Sequence, residues 1–514
     1  MADELEADQP EGADVDDWED HVAFLREMFI NDLVRRGFRL ISDKSEGARS
    51  DAVLTDSRVT VLVEDGFPYT PPRVRTEVPG PMSWHRDSLG HMCLYTARDH
   101  DGQPWLDADV FLARIEEWFA KNDAGWPDDP PALDLEAYLS LPVDSRFILY
   151  SDLDTYTDDY VKLRGDQGQV RLEGAGKVPK RSTKGYLSGY VTDIGEVATP
   201  PIDWEALIEN VPEPDKIRGA IERARVDVLL VQYRRGDQRG ALAVTFPADD
   251  HAQPSRRGSG QGGRRTRSGN GSRGGSASQR HPHLAFSGSA DAAAMRLRSG
   301  SAAAALKDKH VYVVGAGALG SHICDGLVRA GLGHLTVRDY QTLTPGNMTR
   351  HLVANLLYVG HNKARVVEAV LKNRPYSQTK IESVPDALTS PAEAAELLRG
   401  YDLVVDATAD GSVTCMLETA AGFTGIRFVT TCLQNEGRSM RVDVVPPLDG
   451  AAPLAPTVIR PSSTPEVFEA GCGLPVSPTP PYAVAEAAAI AVRHSVGLLA
   501  GTPESPAGEH RDLD

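Results

Sequence analysis

The sequence predicts a multidomain chain in which an α+β domain precedes an α/β domain. Three observations carry this. The chain has 514 residues, enough for about three domains. Short strand-like runs near its start lie between two helical patterns. Beyond Lys307, strand and helix patterns alternate, the signature of a mostly parallel sheet.

Taken in order, residues 1–16 read as an acidic, disordered arm. From Asp17, apolar residues at helical spacing (Val22, Leu25, Met28, Phe29, Leu33) mark an amphipathic helix. The runs RLISD, DAVLTD and RVTVLVED look like strands, and GFPYTPPRV like a rigid Pro-rich turn. A loop through Trp84 and Cys93 leads to a helix with Phe111, Leu112, Ile115 and Trp118 on one face. These elements make an α+β domain over 17–140. Residues 141–250 mix strand-like pieces with one helical run and read as a linker subdomain. Residues 251–290 read as a disordered linker: of positions 251–280, 21 of 30 are Gly, Ser or Arg, too few apolar groups to offset ordering entropy. Such a coil reaches about 30 Å. The α/β domain is expected over 291–503, and 504–514 as a tail.

Composition narrows the function classes. The chain is 41% hydrophobic and 25% charged, close to the globular average. Its net charge of -19 argues against a general nucleic-acid or anionic-membrane binder. Seven arginines and no acid lie within 251–280, a basic patch read here as part of the linker. Five cysteines (Cys93, Cys324, Cys415, Cys432, Cys472) show no C-x-x-C pair, so neither a zinc ribbon nor a disulfide framework is expected. The N-terminus lacks the features of a signal peptide, and no apolar run is read as approaching the roughly 20 residues that span a bilayer. The expectation is a reduced, cytoplasmic protein with no membrane partner.

Gly315-Ala-Gly317-Ala-Leu-Gly320 lies between the strand HVYVV and a helix. Glycine permits the tight turn, close approach to a phosphate and close helix–strand packing, and the helix N-terminus favours an anion. Asp339 ends the next strand, where an acid binds ribose hydroxyls. To this point an NAD enzyme fits equally well. The residues that follow distinguish the two: Asn347 and Arg350 form N-x-x-R eight residues beyond Asp339, and Lys363 opens a later helix. This pattern resembles the ATP-binding signature of the ThiF family, the adenylyltransferases that activate ubiquitin and sulfur-carrier proteins. The resemblance implies a Rossmann-like adenylation fold, ATP and Mg²⁺ as cofactors, and frequent homodimers. It assigns Arg350 and Lys363 to phosphate charge, and Asn347 to phosphate or metal-bound water. Where the family has D-x-T-D-N, this chain has Asp406-Ala-Thr-Ala-Asp410. Ala409 takes the usual carboxylate position, leaving Asp406 or Asp410 for Mg²⁺.

Cys472 lies in FEAGCGLPV ahead of the last helix. In the resembled family the loop there carries the cysteine that accepts the acyl group. Cys432 ends an apolar strand and is read as core; Cys324 and Cys415 are read as packed. Near the N-terminus, Phe67, Pro68, Pro71, Pro72, His85, Cys93, Leu94 and Trp105 resemble the ubiquitin-conjugating pattern of Y-P-x-x-P-P, His-Pro-Asn and catalytic Cys-Leu. His85-Arg86-Asp87 replaces His-Pro-Asn, leaving the oxyanion to His85, His91, Asp87 or a backbone N–H.

The order, a conjugating-like domain before an activating-like one, resembles bacterial fusions found in cyclic-oligonucleotide antiphage defence. That resemblance implies a four-part sequence. A partner's C-terminal carboxylate is adenylated, carried as a thioester on Cys472, passed to Cys93 and ligated to a target amine. The partner would be a ubiquitin-like or cGAS-like nucleotidyltransferase protein. Two alternatives stand beside it: a sulfur-carrier adenylyltransferase making a thiocarboxylate, and a non-enzymatic binding scaffold.

Overall fold

The structure is a computed structural model. It describes residues 15–46, 49–80, 83–87, 89–95, 99, 102–126, 133–165, 168–177, 185–247, 280–461, 467–468 and 477–512. The chain divides into two compact units, residues 1–288 and 289–514.

The first unit opens with helix α1 (Val15–Arg35), whose Phe29, Ile30 and Leu33 are buried along one stripe. Strands β1 (Arg39–Glu46), β2 (Arg49–Thr55), β3 (Val59–Val63) and β4 (Arg73–Thr76) form an antiparallel sheet in that order. Val59, Val61 and Val63 alternate inward, the period of a strand with one covered face. Helix α2 (Ala108–Ala124) is capped by Asp107, which accepts from the Asp109 and Val110 N–H groups, and ends at Gly125 with φ 74°. Its Phe111, Ile115 and Trp118 share one core with Phe29, Leu33, Leu54 and Trp105.

The stretch expected as a linker subdomain is instead a closed barrel. Its elements are β5 (Val143–Tyr150), β6 (Tyr160–Gly165), β7 (Gln169–Ala175), β8 (Tyr186–Glu196), α3 (Trp204–Glu209), α4 (Pro214–Glu222), β9 (Val228–Arg235), β10 (Gln238–Thr245) and β11 (His283–Ser289). The seven strands close in the order β10-β11-β5-β7-β6-β8-β9. β11 comes from residues expected to be linker. Its short run pairs with β10 and buries Ala285 completely, and closure leaves the barrel without a free edge. Ile148, Val161, Leu163, Val170, Val191 and Leu230 fill one apolar cluster; α3 and α4 belong to another.

The second unit holds α5 (Ala292–Arg296), α6 (Ala303–Leu306), β12 (His310–Val314), α7 (Ala318–Arg329), β13 (His334–Arg338), α8 (Lys363–Lys372), β14 (Lys380–Val384), α9 (Pro391–Gly400), β15 (Leu403–Asp406), α10 (Gly411–Thr424), β16 (Phe428–Gln434), β17 (Ser439–Val445), α11 (Pro481–Ala500) and β18 (Gly508–Asp512). The sheet order is β14-β13-β12-β15-β16-β17-β18. Its first five strands run parallel, and β17 pairs antiparallel with both β16 and β18. Val311, Val313, Val337 and Val405 are buried in continuous apolar runs, as in sheets covered on both faces. The direction of winding reverses between β12 and β15, and the crevice outside their C-terminal ends is the ligand position of this architecture.

Two expectations change here. Residues 504–514, set apart as a tail, contribute β18, which pairs with β17 from Ser439↔Asp512 to Asp443↔Gly508. Helix α11 is long and apolar enough to cross a membrane by length and composition, contrary to the expectation of no such run. Its Ala483, Val484, Ala487, Ala488 and Ala491 are buried in the main core of this unit, which accounts for its composition.

Candidate functional site

The glycine-rich turn leaves β12 at Gly315, whose φ is +93° and whose missing Cβ would lie 2.9 Å from the Ala407 and Thr408 backbone. A side chain there is excluded by both conformation and space. At Gly320 an added Cβ would lie 1.8 Å from the Gly315 carbonyl oxygen, so the helix can approach the turn only without one. At Gly317 it would meet nothing within 4 Å. That glycine faces open space, in front of an α7 N-terminus that no side chain caps.

The predicted residues gather around this turn. Asp339 Oδ2 accepts the Ala316 N–H at 2.8 Å, and its Oδ1 accepts from Gln341 N at 2.7 Å. Asn362, the cap of α8, donates to the Asp339 carbonyl oxygen at 2.7 Å. Lys363 is buried, and its Nζ donates to Gln341 Oε1 at 2.7 Å. Asn347 Oδ1 accepts from Thr344 N at 3.0 Å, closing a one-turn helix over Pro345–Asn347.

Three consecutive residues tie the loop after Asn347 to the turn and to α7. His322 Nε2 bonds the Arg350 carbonyl oxygen at 3.2 Å, His351 Nε2 bonds the Ala316 carbonyl oxygen at 2.8 Å, and Leu352 N donates to Ser321 Oγ at 3.1 Å. Val353 N donates to His351 Nδ1, so the His351 proton sits on Nε2. Burial, opposing a second positive charge near Lys363 and His322, pushes the His351 ring down to about 4 and keeps it neutral. The Arg350 backbone is thus held beside the turn, while its guanidinium makes no hydrogen bond or ion pair with the described residues. His322, Gln341 and His351 were not singled out in the sequence. Nothing in their spacing marks them, and only their bonds reveal their role: His351 to Ala316, His322 to Arg350, and Gln341 to Asp339 and Lys363.

Asp406 and Asp410, the two alternatives for Mg²⁺, differ in what their carboxylates already hold. Asp406 is fully buried, and its carboxylate accepts from Thr408 N at 3.0 Å, Thr408 Oγ1 at 2.6 Å, Thr414 Oγ1 at 2.6 Å and Thr430 Oγ1 at 3.2 Å. Four bonds use all of a carboxylate's lone-pair directions. Asp410 is exposed and caps α10 through Ser412 N at 2.8 Å. Between them Ala409 takes φ 53°. Among the described residues no group of three or more His, Cys, Asp or Glu is placed to hold a metal ion. The donor set around Asp406 therefore does not fit Mg²⁺.

Of the cysteines, Cys472 lies outside the described residues. Cys324 is buried, which pushes its thiol far up. Cys432 is half-buried, and Cys415 is exposed on α10, correcting the expectation that it is packed. Cys93 reaches the surface, yet crowding of its sulfur, with Asp134 and Asp87 adding charge, pushes the thiol up. Asp134 was also missed in the sequence. Cys93 N donates to the His85 carbonyl oxygen at 3.0 Å, and Trp118 Nε1 donates to the same oxygen at 3.2 Å. The His85 ring stacks on Trp126 with centroids 3.7 Å apart. Asp87 accepts from Leu89 N, His91 N and His91 Nδ1 at 2.7–2.8 Å. Burial opposes its ionisation, but the His91 bonds hold it below the usual carboxylate range. As an ionised acceptor it cannot donate to an oxyanion.

Residues 291–505 match the family model described as "ThiF family". This stretch is a ThiF-family domain. Among curated proteins, the chain is 37% identical over 119 residues to the ATP-dependent ubiquitin transferase-like protein Cap2 of Enterobacter hormaechei, covering 23% of this chain and 19% of that protein. It is 33% identical over 172 residues to the sulfur carrier protein adenylyltransferase of Thermus thermophilus, covering 32% and 62%. The chain thus spans about a fifth of the first relative's length and under two thirds of the second's. Among solved structures, E. coli tRNA N6-threonylcarbamoyladenosine dehydratase matches 40% of this chain and 92% of its own, at 22% identity and a TM-score of 0.32, a likeness too low to bear on function. The ThiF-family domain contains every expected nucleotide residue from Gly315 to Lys363 and excludes Cys93.

Proposed function

We propose that the ThiF-family domain binds ATP at the crevice between β12 and β15 and activates a protein C-terminal carboxylate by adenylation. One observation carries this reading: Arg350, with its backbone tied to the glycine-rich turn and to α7, presents a guanidinium that no described residue neutralises. A guanidinium on a fixed backbone, with no carboxylate taking its charge, suits the charge that builds on phosphate oxygens. Lys363 and the α7 N-terminus add to it, and Asp339 lies where ribose hydroxyls would be received. The attacking carboxylate forms a bond to the α-phosphorus of ATP, and the bond to the β-phosphate bridge breaks to release pyrophosphate.

Cys472 then takes the acyl group with loss of AMP, Cys93 takes it by thioester exchange, and an amine resolves it as an amide. A thiolate is suited to each exchange because it attacks an activated acyl group and leaves again. In this reading the α1–α2 domain has the role of a ubiquitin-conjugating fold. The partner is a ubiquitin-like or cGAS-like nucleotidyltransferase protein in a cytoplasmic antiphage system, and the activating domain works as a homodimer. The likeness to Cap2 supports this setting.

The likeness to a sulfur carrier protein adenylyltransferase favours a second reading, in which the adenylate is converted to a thiocarboxylate and Cys93 has no part. ATP–pyrophosphate exchange with C-terminal peptides tests the first step common to both. A Cys93→Ala variant that still completes the full reaction selects the second.

A further inference from the structure

Trp84 belongs by sequence to the loop that carries Cys93, yet it is packed with the barrel. It is 6% exposed and shares a core with Leu135, Leu139, Val197, Leu229 and Tyr233. Its indole Nε1 donates to the Val197 carbonyl oxygen, just beyond β8, at 3.3 Å. The Tyr138 hydroxyl donates to the Trp84 carbonyl oxygen, and the Tyr138 ring meets the indole edge-on at 5.2 Å. The Arg235 guanidinium, at the end of β9, lies 3.9 Å from the centre of the Trp84 ring. The loop is therefore held at its ring and indole N–H by the barrel, and at its main chain by Tyr138 in the segment that leads into β5.

The next residue is His85, whose carbonyl oxygen accepts the Cys93 N–H at 3.0 Å. One peptide unit separates the barrel's grip from the hydrogen bond that places Cys93. We propose that the barrel is a positioning module for Cys93, acting through a clamp on Trp84 made by Tyr138, Val197 and Arg235. This rests on the reading of Cys93 as an acyl acceptor and gives the barrel, with the segment through Tyr138 that leads into it, a function within it. Thioester exchange passes through a tetrahedral oxyanion. Stabilising it requires main-chain donors held in place before the reaction, because misplacement by a fraction of an ångström weakens them. The missing asparagine of His-Pro-Asn makes that placement matter more in this chain. Trp84 and Tyr138 are positioning residues, acting on the acyl group only through His85 and Cys93.

The test uses the full chain without ATP. The probe is a short glycine-ending peptide thioester of 2-mercaptoethanesulfonate. Cys93 Sγ attacks the thioester carbonyl, a new C–S bond forms, the old one breaks, and the thiol proton passes through solvent to the departing mercaptan. Loading is followed on the Cys93 peptide by mass spectrometry, beside alkylation of the same cysteine by iodoacetamide, which needs only access to the thiol. Tyr138→Phe and Trp84→Phe are expected to slow loading at least tenfold while alkylation stays level or rises. Leu163→Ala, in the other barrel core, is expected to lower the melting temperature and leave loading within twofold. Variants that load at the wild-type rate overturn the clamp, as does Leu163→Ala slowing loading equally. A wild type whose Cys93 alkylates but accepts no acyl group overturns the conjugation reading, and the clamp with it.

Discussion

His351 Nε2 donates to the carbonyl oxygen of Ala316 at 2.8 Å, joining the loop that carries Arg350 to the centre of the glycine-rich turn. Ala316 is held from both sides, since its N–H is taken by Asp339. The turn and the Arg350 backbone are thereby one preformed unit.

Replacing His351 by Ala frees the Arg350 loop and leaves the Ala316 carbonyl unpaired. ATP affinity is expected to fall roughly tenfold, about 1.4 kcal/mol, in a titration of the purified variant. The same residue sets a pH dependence. Its folded value of about 4 lies below the ordinary 6.5. The unfolded chain therefore binds the proton first, and stability is full above about pH 6.5 and is lost as pH falls toward 4, by at most about 3 kcal/mol. His351→Gln, which keeps a donor and an acceptor but cannot titrate, should flatten the fall in melting temperature between pH 7 and pH 5.

The three glycines separate by role. Gly315→Ala and Gly320→Ala meet backbone atoms and should each destabilise the second unit by about 1–3 kcal/mol in denaturant unfolding. Gly317→Ala meets nothing and should leave stability within about 0.5 kcal/mol while weakening ATP binding. A Gly317→Ala variant that binds ATP normally would contradict the placement of phosphate against that residue.

Asp406→Asn turns one carboxylate oxygen into a donor, so either the Thr408 bonds to Oδ1 or the Thr414 and Thr430 hydroxyl bonds to Oδ2 are lost, which should cost about 2 kcal/mol of stability. Asp410→Asn keeps a cap at α10 and should change stability by only a few tenths of a kcal/mol. Comparable losses in the two variants would show that Asp406 is not the structural carboxylate its bonds imply.

Cys93 is held above the ordinary thiol range by burial first and by Asp134 and Asp87 after it. Removing a neighbouring negative charge favours the thiolate, so Asp134→Asn should lower the midpoint of the Cys93 alkylation profile against pH. At pH 8 its alkylation by iodoacetamide should run at least twofold faster than in the wild type.

The nucleotide turn was legible because its requirements are local. Gly315 and Gly320 answer to steric contacts within one strand–turn–helix unit, and the periodicity around them is strong. The barrel was not legible. β11 is separated from β10 by the Arg/Gly/Ser-rich stretch, and its few apolar residues gain meaning only from partners on β5 and β10. His351 was missed for a related reason: a histidine in a loop has no pattern, and its role comes from a carbonyl 35 positions away. Asp406 misled because a motif records that a carboxylate is present and not what already occupies it. Trp84 read as a loop residue, since the groups that bury it come from sequence about 50 to 150 positions further on, among them Tyr138, Val197 and Arg235.

Calorimetric titration of the full chain with ATP, wild type against Arg350→Ala, tests the reading of the site most directly. Arg350 makes no bond with the described residues that its loss would break, so the variant should fold with an unchanged melting temperature and bind ATP at least tenfold more weakly. Equal affinity in the two proteins, or no binding by the wild type, would contradict the assignment of this crevice to a nucleotide.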